Sequence, residues 1–313
     1  MKLAFFGSSS FSIPVLKSLA ASKHSVDLIV TTPPAKQGRG QKEKPSEVEV
    51  YCQLAGLSCL SPHDIKSEEF TESLRSLGID AFAVASYGKM LPDTLLSIPK
   101  KIPLNVHPSL LPKYRGAAPI ARQLWNGETE SGVSIAKITS HLDAGEILAQ
   151  RKMTIEMSDD AISLRDKLAE LGGELLLEVL DQIEMNRHQL IPQNESLASY
   201  AAKLKKEMGR IDWNQNASKI HDQIRALVPW PAAYTFFNGK RIKLLKAAVE
   251  ASVSVTVSHH TGTIIKIDPE GYMSVQAKQG VVKLLMIQPE SGKEMNPHAF
   301  SIGSKLKPGD QFS

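Results

Sequence analysis

Apolar residues along the chain follow two different rhythms. Over the first part, short continuous apolar runs alternate with stretches of helical spacing. Residues 2–6 form one such run and end at Gly7. After the loop Ser8-Ser9-Ser10, the residues Ile13, Val15, Leu16 and Leu19 recur on one helical face, which predicts a helix through Ala20. Residues 27–31 predict the next strand, giving the β-loop-α-β opening of a doubly wound sheet. Further strands are predicted over 81–85, 104–107 and 132–136, with helices over 68–77 and 161–183. Pro103 and Pro108 bracket the strand at 104–107. The pattern is α/β, with a Rossmann-like parallel sheet.

The rhythm changes beyond residue 190. The stretch 190–208 is polar, contains Pro192-Gln193-Asn194-Glu195-Ser196, and reads as a linker. A helix is predicted over 217–227. Short β-like runs follow at 233–237, 242–245, 262–267, 272–277 and 281–285. Asn238-Gly239 is a two-residue hairpin signal. Several short strands joined by turns predict a small OB-like β-barrel. The expected organisation is therefore a domain over 1–189, a linker over 190–208 and a second domain over 209–313. Trp230, between Pro229 and Pro231, is expected to pack rather than to stack on a base.

Composition adds two points. The 313 residues are 42% hydrophobic, enough for packed cores, and carry a net charge of +4. That charge is uneven: residues 1–190 hold 21 Lys and Arg against 23 Asp and Glu, whereas residues 191–313 hold 16 against 10. A near-neutral first part and a basic second part suggest that the tail meets a polyanion, although a solvated Lys-rich surface has the same composition. The two cysteines, Cys52 and Cys59, cannot form a disulfide scaffold and lack the partners of a zinc finger. They are expected to be buried or half-buried thiols of a reducing compartment. The apolar run before Gly7 is too short for a signal peptide, and no stretch reaches the length of a membrane helix. A cytoplasmic protein is expected.

The chemistry concentrates in two places. Asn105 and His107 are two apart at the end of a predicted strand, so their side chains share a face at the edge where ligands of open α/β sheets bind. An amide and an imidazole there can donate to an oxyanion and move a proton. Asp143, in Leu142-Asp143-Ala144-Gly145, lies in a second loop after a strand, in a turn that presents its carboxylate. Taken singly, each fits a capped strand end or an Asx turn as well. Gly7 stands alone after the first strand, so no dinucleotide fingerprint is present and a nicotinamide enzyme is excluded.

The run Asn105-Val106-His107-Pro108-Ser109-Leu110-Leu111-Pro112, continued by Arg115-Gly116, resembles the signature of the folate-dependent formyltransferases, and Leu142-Asp143-Ala144-Gly145 resembles that of their third catalytic position. The resemblance covers nearly the whole chain. The basic loop Lys36–Lys44, the stretch Lys203-Leu204-Lys205-Lys206 and the run Arg225 to Thr235 are similar to the members that act on methionyl initiator tRNA. One departure is Ser8-Ser9-Ser10, where the family usually has Thr-Pro and an acidic residue; this leaves the loop's role open.

The resemblance implies formyl transfer from 10-formyltetrahydrofolate to the α-amine of methionyl initiator tRNA. It implies catalytic roles for Asn105, His107 and Asp143. It further implies folate contacts from Ser109, Leu110, Leu111, Pro112, Tyr87 and Gly88, and tRNA contacts from Lys36, Arg39, Lys42 and Lys206. No metal is required, no membrane is involved, and a monomer is expected. Competing readings are a formyltransferase acting on a sugar-nucleotide or small ribonucleotide amine, a non-catalytic RNA-binding protein on the same fold, and a formyl-folate hydrolase. The basic loop and basic tail favour tRNA.

Overall fold

The computed structural model describes residues 1–37, 42–250 and 260–313. Two compact units emerge. One comprises Met1–Pro119, Glu130–Thr154 and Arg165–Ala201; the other comprises Ile120–Thr129, Ile155–Leu164 and Ala202–Ser313.

The first unit contains β1 (Lys2–Gly7), α1 (Ser12–Ala20), β2 (Ser25–Val30), β3 (Ala35–Gln37), β4 (Lys42–Lys44), α2 (Glu47–Ala55), α3 (Glu68–Ser76), β5 (Ala81–Ala85), α4 (Asp93–Leu96), β6 (Ile102–His107) and β7 (Arg115–Gly116). Helix α5 (Pro119–Asn126) lies, apart from Pro119, in the second unit; the first unit continues with β8 (Glu130–Lys137), β9 (Ile147–Thr154), α6 (Ala161–Glu184) from Arg165 onward, and β10 (Tyr200–Ala201). The main sheet has the order β2-β1-β5-β6-β8-β9. Strands β2, β1, β5 and β6 are parallel, as the opening pattern predicts. Strands β8 and β9 then extend the sheet in antiparallel fashion.

All five residues of β5 are buried. This explains its unbroken apolar run, because a strand covered on both faces has no polar side. The rings of Phe6 and Phe82 meet at 5.0 Å within the core beside Val30, Leu74 and Leu95. Helix α6 carries Gly172 and Gly173 in its interior. A Cβ at Gly172 would stand 2.7 Å from Val106, and one at Gly173 2.4 Å from Ser18 Oγ. The pair costs helix propensity, about 1 kcal/mol per glycine, and in return lets the helix lie directly on β6 and α1.

Residues 190–201 belong to this unit. β10 pairs with β7, Ser199 N donates to Pro112 O, and Ala117 N donates to Ala201 O. The half of the polar stretch that precedes residue 202 is therefore fastened to the sequence around Arg115.

The second unit holds α7 (Ala217–Ala226), β11 (Ala233–Phe237), β12 (Lys240–Glu250), β13 (Ile264–Ile267), β14 (Met273–Gln276), β15 (Val281–Pro289) and α8 (Pro297–Ser304). Its antiparallel sheet runs β11-β12-β15-β14-β13. The last residues join the two edges. Phe236 and Ser313 exchange backbone hydrogen bonds of 3.0 Å, while Ile264 N donates to Asp310 O at 2.8 Å and Phe312 N to Gly262 O at 2.9 Å. The sheet is thereby closed into a barrel. Trp213 stacks on Phe312 at 5.9 Å and donates from Nε1 to Thr235. Trp230, expected to pack, is 56% exposed.

Candidate active site

Strand β6 presents Asn105 and His107 on one face, because alternate strand residues point the same way. His107 is buried, and its Nε2 lies 2.9 Å from Tyr114 O. A carbonyl only accepts, so Nε2 carries the hydrogen. The tautomer is thus set by the backbone, and Nδ1 is left facing Asp143 Oδ2 at 3.7 Å. Tyr114 turns its carbonyl to the ring from a left-handed conformation, φ 61°, with its N–H bound to Ser199 Oγ at 2.9 Å.

Asp143 reaches the same place from the loop after β8. Its Oδ1 accepts from Asn105 Nδ2 at 3.2 Å, and its Oδ2 from Gly116 N at 2.7 Å. Gly145 shows why the turn takes this form. A Cβ there would lie 1.8 Å from Lys137 O, so the chain passes only as glycine. The three side chains singled out in the sequence therefore converge, with the carboxylate between the amide and the imidazole. The amide retains a second hydrogen for an oxyanion, and the imidazole Nδ1 can hold or release a proton.

A cavity opens on this cluster, with Asn105 and Asp143 in its wall beside Val84, Lys89, Met90, Leu91, Ile138 and Leu142. Met90 and Leu142 are 62% and 54% exposed, forming an apolar rim. The segment 109–112 is a loop tied to itself and to strands β8 and β9. Ser109 Oγ donates to Lys113 O, Ser134 Oγ donates to Ser109 O, and Leu111 N donates to Ser134 Oγ. Gln150 Nε2 donates to Leu111 O at 2.8 Å. Leu111 is buried beside Ala136 and Ile147, Leu110 is half-buried, and Pro112 follows a cis peptide bond. Tyr87 is buried against Phe6, their rings 5.4 Å apart. Its hydroxyl has no partner among the described residues, and burial pushes its pKa up to about 12. Gly88 is exposed at φ 82°, and it is the next residues, Lys89 to Leu91, that line the cavity.

The serine loop is not a free solvent loop. Ser8 Oγ donates to Tyr87 O at 3.1 Å, Ser9 Oγ to Ser86 Oγ at 2.8 Å, and Ser12 Oγ to Ala85 O at 2.6 Å. A carboxylate does reach it, from Glu47, which accepts from Ser10 N.

Among the basic residues, Lys36 and Lys42 stand exposed on the paired strands β3 and β4, while Arg39 lies outside the described residues. Lys206 is exposed in the second unit, within a 3-10 turn, Lys206–Gly209. Cys52 is buried and Cys59 half-buried. Burial pushes the Cys52 thiol up to about 12, which suits an inert thiol. His24, Asp181 and Glu184 bring donor atoms within 4.8 Å of one another. Lys23 Nζ already stands 2.9 Å from Asp181 and 3.4 Å from Glu184, making this an ion-pair cluster.

Sequence reasoning missed several residues that build the site. Gln193, from the polar stretch, donates to the backbone of the Asp143 turn, and Ser134 and Gln150 brace the 109–112 loop. No local pattern marks them, because each acts across a long sequence separation.

Comparison with known proteins agrees with this architecture. Residues 1–180 match the family described as formyl transferase, and residues 203–305 match the formyl transferase C-terminal domain. The chain belongs to the formyl transferase family. Over all 313 residues it is 43% identical to a methionyl-tRNA formyltransferase of Dictyoglomus thermophilum, covering 100% of both chains. Among solved structures it is similar to HypX from Aquifex aeolicus in complex with tetrahydrofolic acid (18% identity, TM-score 0.68), covering 98% of this chain and 48% of that longer one. It is also similar to an N-formyltransferase from Helicobacter canadensis in complex with folinic acid and dTDP-3-aminofucose, at 19% identity and TM-score 0.64, covering 91% of this chain and 98% of the other. No helix among the described residues is long and apolar enough to cross a membrane.

Proposed function

We propose that this chain formylates the α-amine of methionyl initiator tRNA with 10-formyltetrahydrofolate as donor, acting as a cytoplasmic monomer. The observation that carries this reading is the carboxylate of Asp143 placed between Asn105 and His107 at the wall of an apolar-rimmed cavity. Met90, Leu91, Ile138 and Leu142 offer apolar flanks suited to a flat heteroaromatic ring, and Asn105 and Asp143 supply the polar end. When bound, 10-formyltetrahydrofolate supplies the formyl group at N10. Asn105 Nδ2 donates its second hydrogen to the oxygen that gains charge as the amine adds to the formyl carbon. His107, fixed through Nε2, keeps Nδ1 facing the Asp143 carboxylate and, when protonated, stabilises the same charge from behind it. Asp143 orients the pair and takes part in moving one proton from the attacking amine to the departing nitrogen. The net change is one N–C bond made, one broken, and one proton relocated. Lys36, Arg39, Lys42 and Lys206 hold RNA phosphates, a grip that is largely independent of sequence.

The test is an assay with 10-formyltetrahydrofolate and charged initiator tRNA. Formylated methionyl-tRNA is the expected product. Release of formate without an acceptor, or formylation of a sugar-nucleotide amine in preference to the tRNA, would overturn the reading.

A further inference from the structure

We propose that Gln193 is a positioning residue for Asp143, acting through a group it forms with Arg115 and Glu195; the inference rests on the catalytic role given to Asp143 above. Gln193 lies in a stretch whose composition reads as linker, yet its amide is fully used. Nε2 donates to Asp143 O at 2.9 Å and to Gly145 O at 2.6 Å. Oε1 accepts from Arg115 Nε at 3.1 Å and Nη2 at 2.8 Å. Main-chain carbonyls only accept and a guanidinium only donates, so the amide has one permitted orientation. Arg115 is itself 2% exposed and forks onto Glu195 at 2.9 and 2.7 Å.

The same group holds the other end of the aspartate. Arg115–Gly116 pairs with Tyr200–Ala201, and the Gly116 N–H so placed donates to Asp143 Oδ2 at 2.7 Å. Both the main-chain carbonyl and the carboxylate of Asp143 are thus gripped by one assembly. Asp143 needs that grip, because it sits at φ 51°, a left-handed conformation that a non-glycine residue keeps when its surroundings impose it. The Gln193 amide is spent on the Asp143 turn and on Arg115, and the cavity wall is built by other residues; its reach to the chemistry is through that turn.

Gln193→Glu tests this at constant size. It keeps an acceptor for Arg115 but sets a carboxylate against two carbonyl oxygens. A displacement of about 1 Å at a catalytic group costs on the order of 100-fold, so kcat should fall at least about 30-fold. The KM values for formyl-folate and tRNA should stay within about threefold. In the Asp143→Asn background the same change should cost no more than about threefold further, because residues acting as a unit do not add. If Gln193→Glu does not fold, Gln193→Met, of similar length with no donor, takes its place. A single variant with unchanged kcat, or a double variant showing the full multiplied loss, would overturn the positioning role. An unaltered enzyme with no formylating activity would instead overturn the proposed function.

Discussion

The Asn105–His107–Asp143 cluster and the lysines at 36, 42 and 206 are built by opposite rules. In the cluster, each side chain is held by at least one partner on another segment: Asn105 on Asp143, His107 on Tyr114, Asp143 on Gly116. His107 is buried and Asp143 only slightly exposed. The lysines stand exposed on two short paired strands and a 3-10 turn. The difference suits the two tasks proposed for them. Stabilising charge on a reacting atom needs donors fixed to within a fraction of an ångström, whereas attracting phosphates works through long-range charge that tolerates motion. Substitutions in the cluster should therefore strike kcat, and those among the lysines should strike tRNA affinity.

That division can be broken by experiment. Asn105→Ala should have the largest effect, lowering kcat by at least about 100-fold while the fold survives, since single oxyanion donors are worth on the order of 3 kcal/mol. Steady-state kinetics beside a melting curve would check it, and a loss confined to KM would contradict it. Gly145→Ala comes next. Its Cβ would meet Lys137 O at 1.8 Å, so the Asp143 turn must shift; kcat should drop by tens of fold and the melting temperature should fall as well. A variant as active and stable as the parent would show that the turn does not set the site.

Smaller effects belong to the basic handles. Arg39→Ala should raise the KM for tRNA several-fold and leave that for formyl-folate unchanged; equal changes in both would remove Arg39 from the RNA interface. Lys42→Ala should also lessen the salt dependence of tRNA affinity, reducing the slope of log K against log salt by about one for each phosphate no longer neutralised. Smallest of all is Tyr87→Phe. It deletes a buried hydroxyl with no partner among the described residues, so folate KM should stay within about twofold and stability should hold or rise. The native phenol keeps its proton up to about 12, against 10.0 when unfolded. The Phe variant's advantage should therefore grow as pH rises from 10 toward 12. A higher folate KM in this variant would place the hydroxyl on the ligand.

Much of this was legible in the sequence because it depends on local pattern. The continuous run at 81–85 reads as a strand, and the i, i+2 spacing of Asn105 and His107 puts them on one face. The Leu142-Asp143-Ala144-Gly145 turn announces a presented carboxylate. Strand β9 escaped notice because it is an edge strand whose outer half alternates exposed and half-buried residues, QRKMT, without an apolar run. Gln193 escaped for a different reason: its partner Asp143 lies 50 residues away, and a polar residue in a polar stretch carries no periodic signal. Tyr87 shows the converse. Its neighbours border the cavity while its own ring turns into the core, and alternation along a short segment cannot reveal which way that turn goes.

The most direct measurement is the turnover of Asp143→Asn with 10-formyltetrahydrofolate and charged initiator tRNA, alongside its melting curve. The amide keeps the size of the side chain but removes the negative charge facing His107, 3.7 Å away. A folded variant slowed by at least about 100-fold, with little change in either KM, is the result expected of a group that acts in the transition state. A folded variant with near-normal turnover would contradict the account.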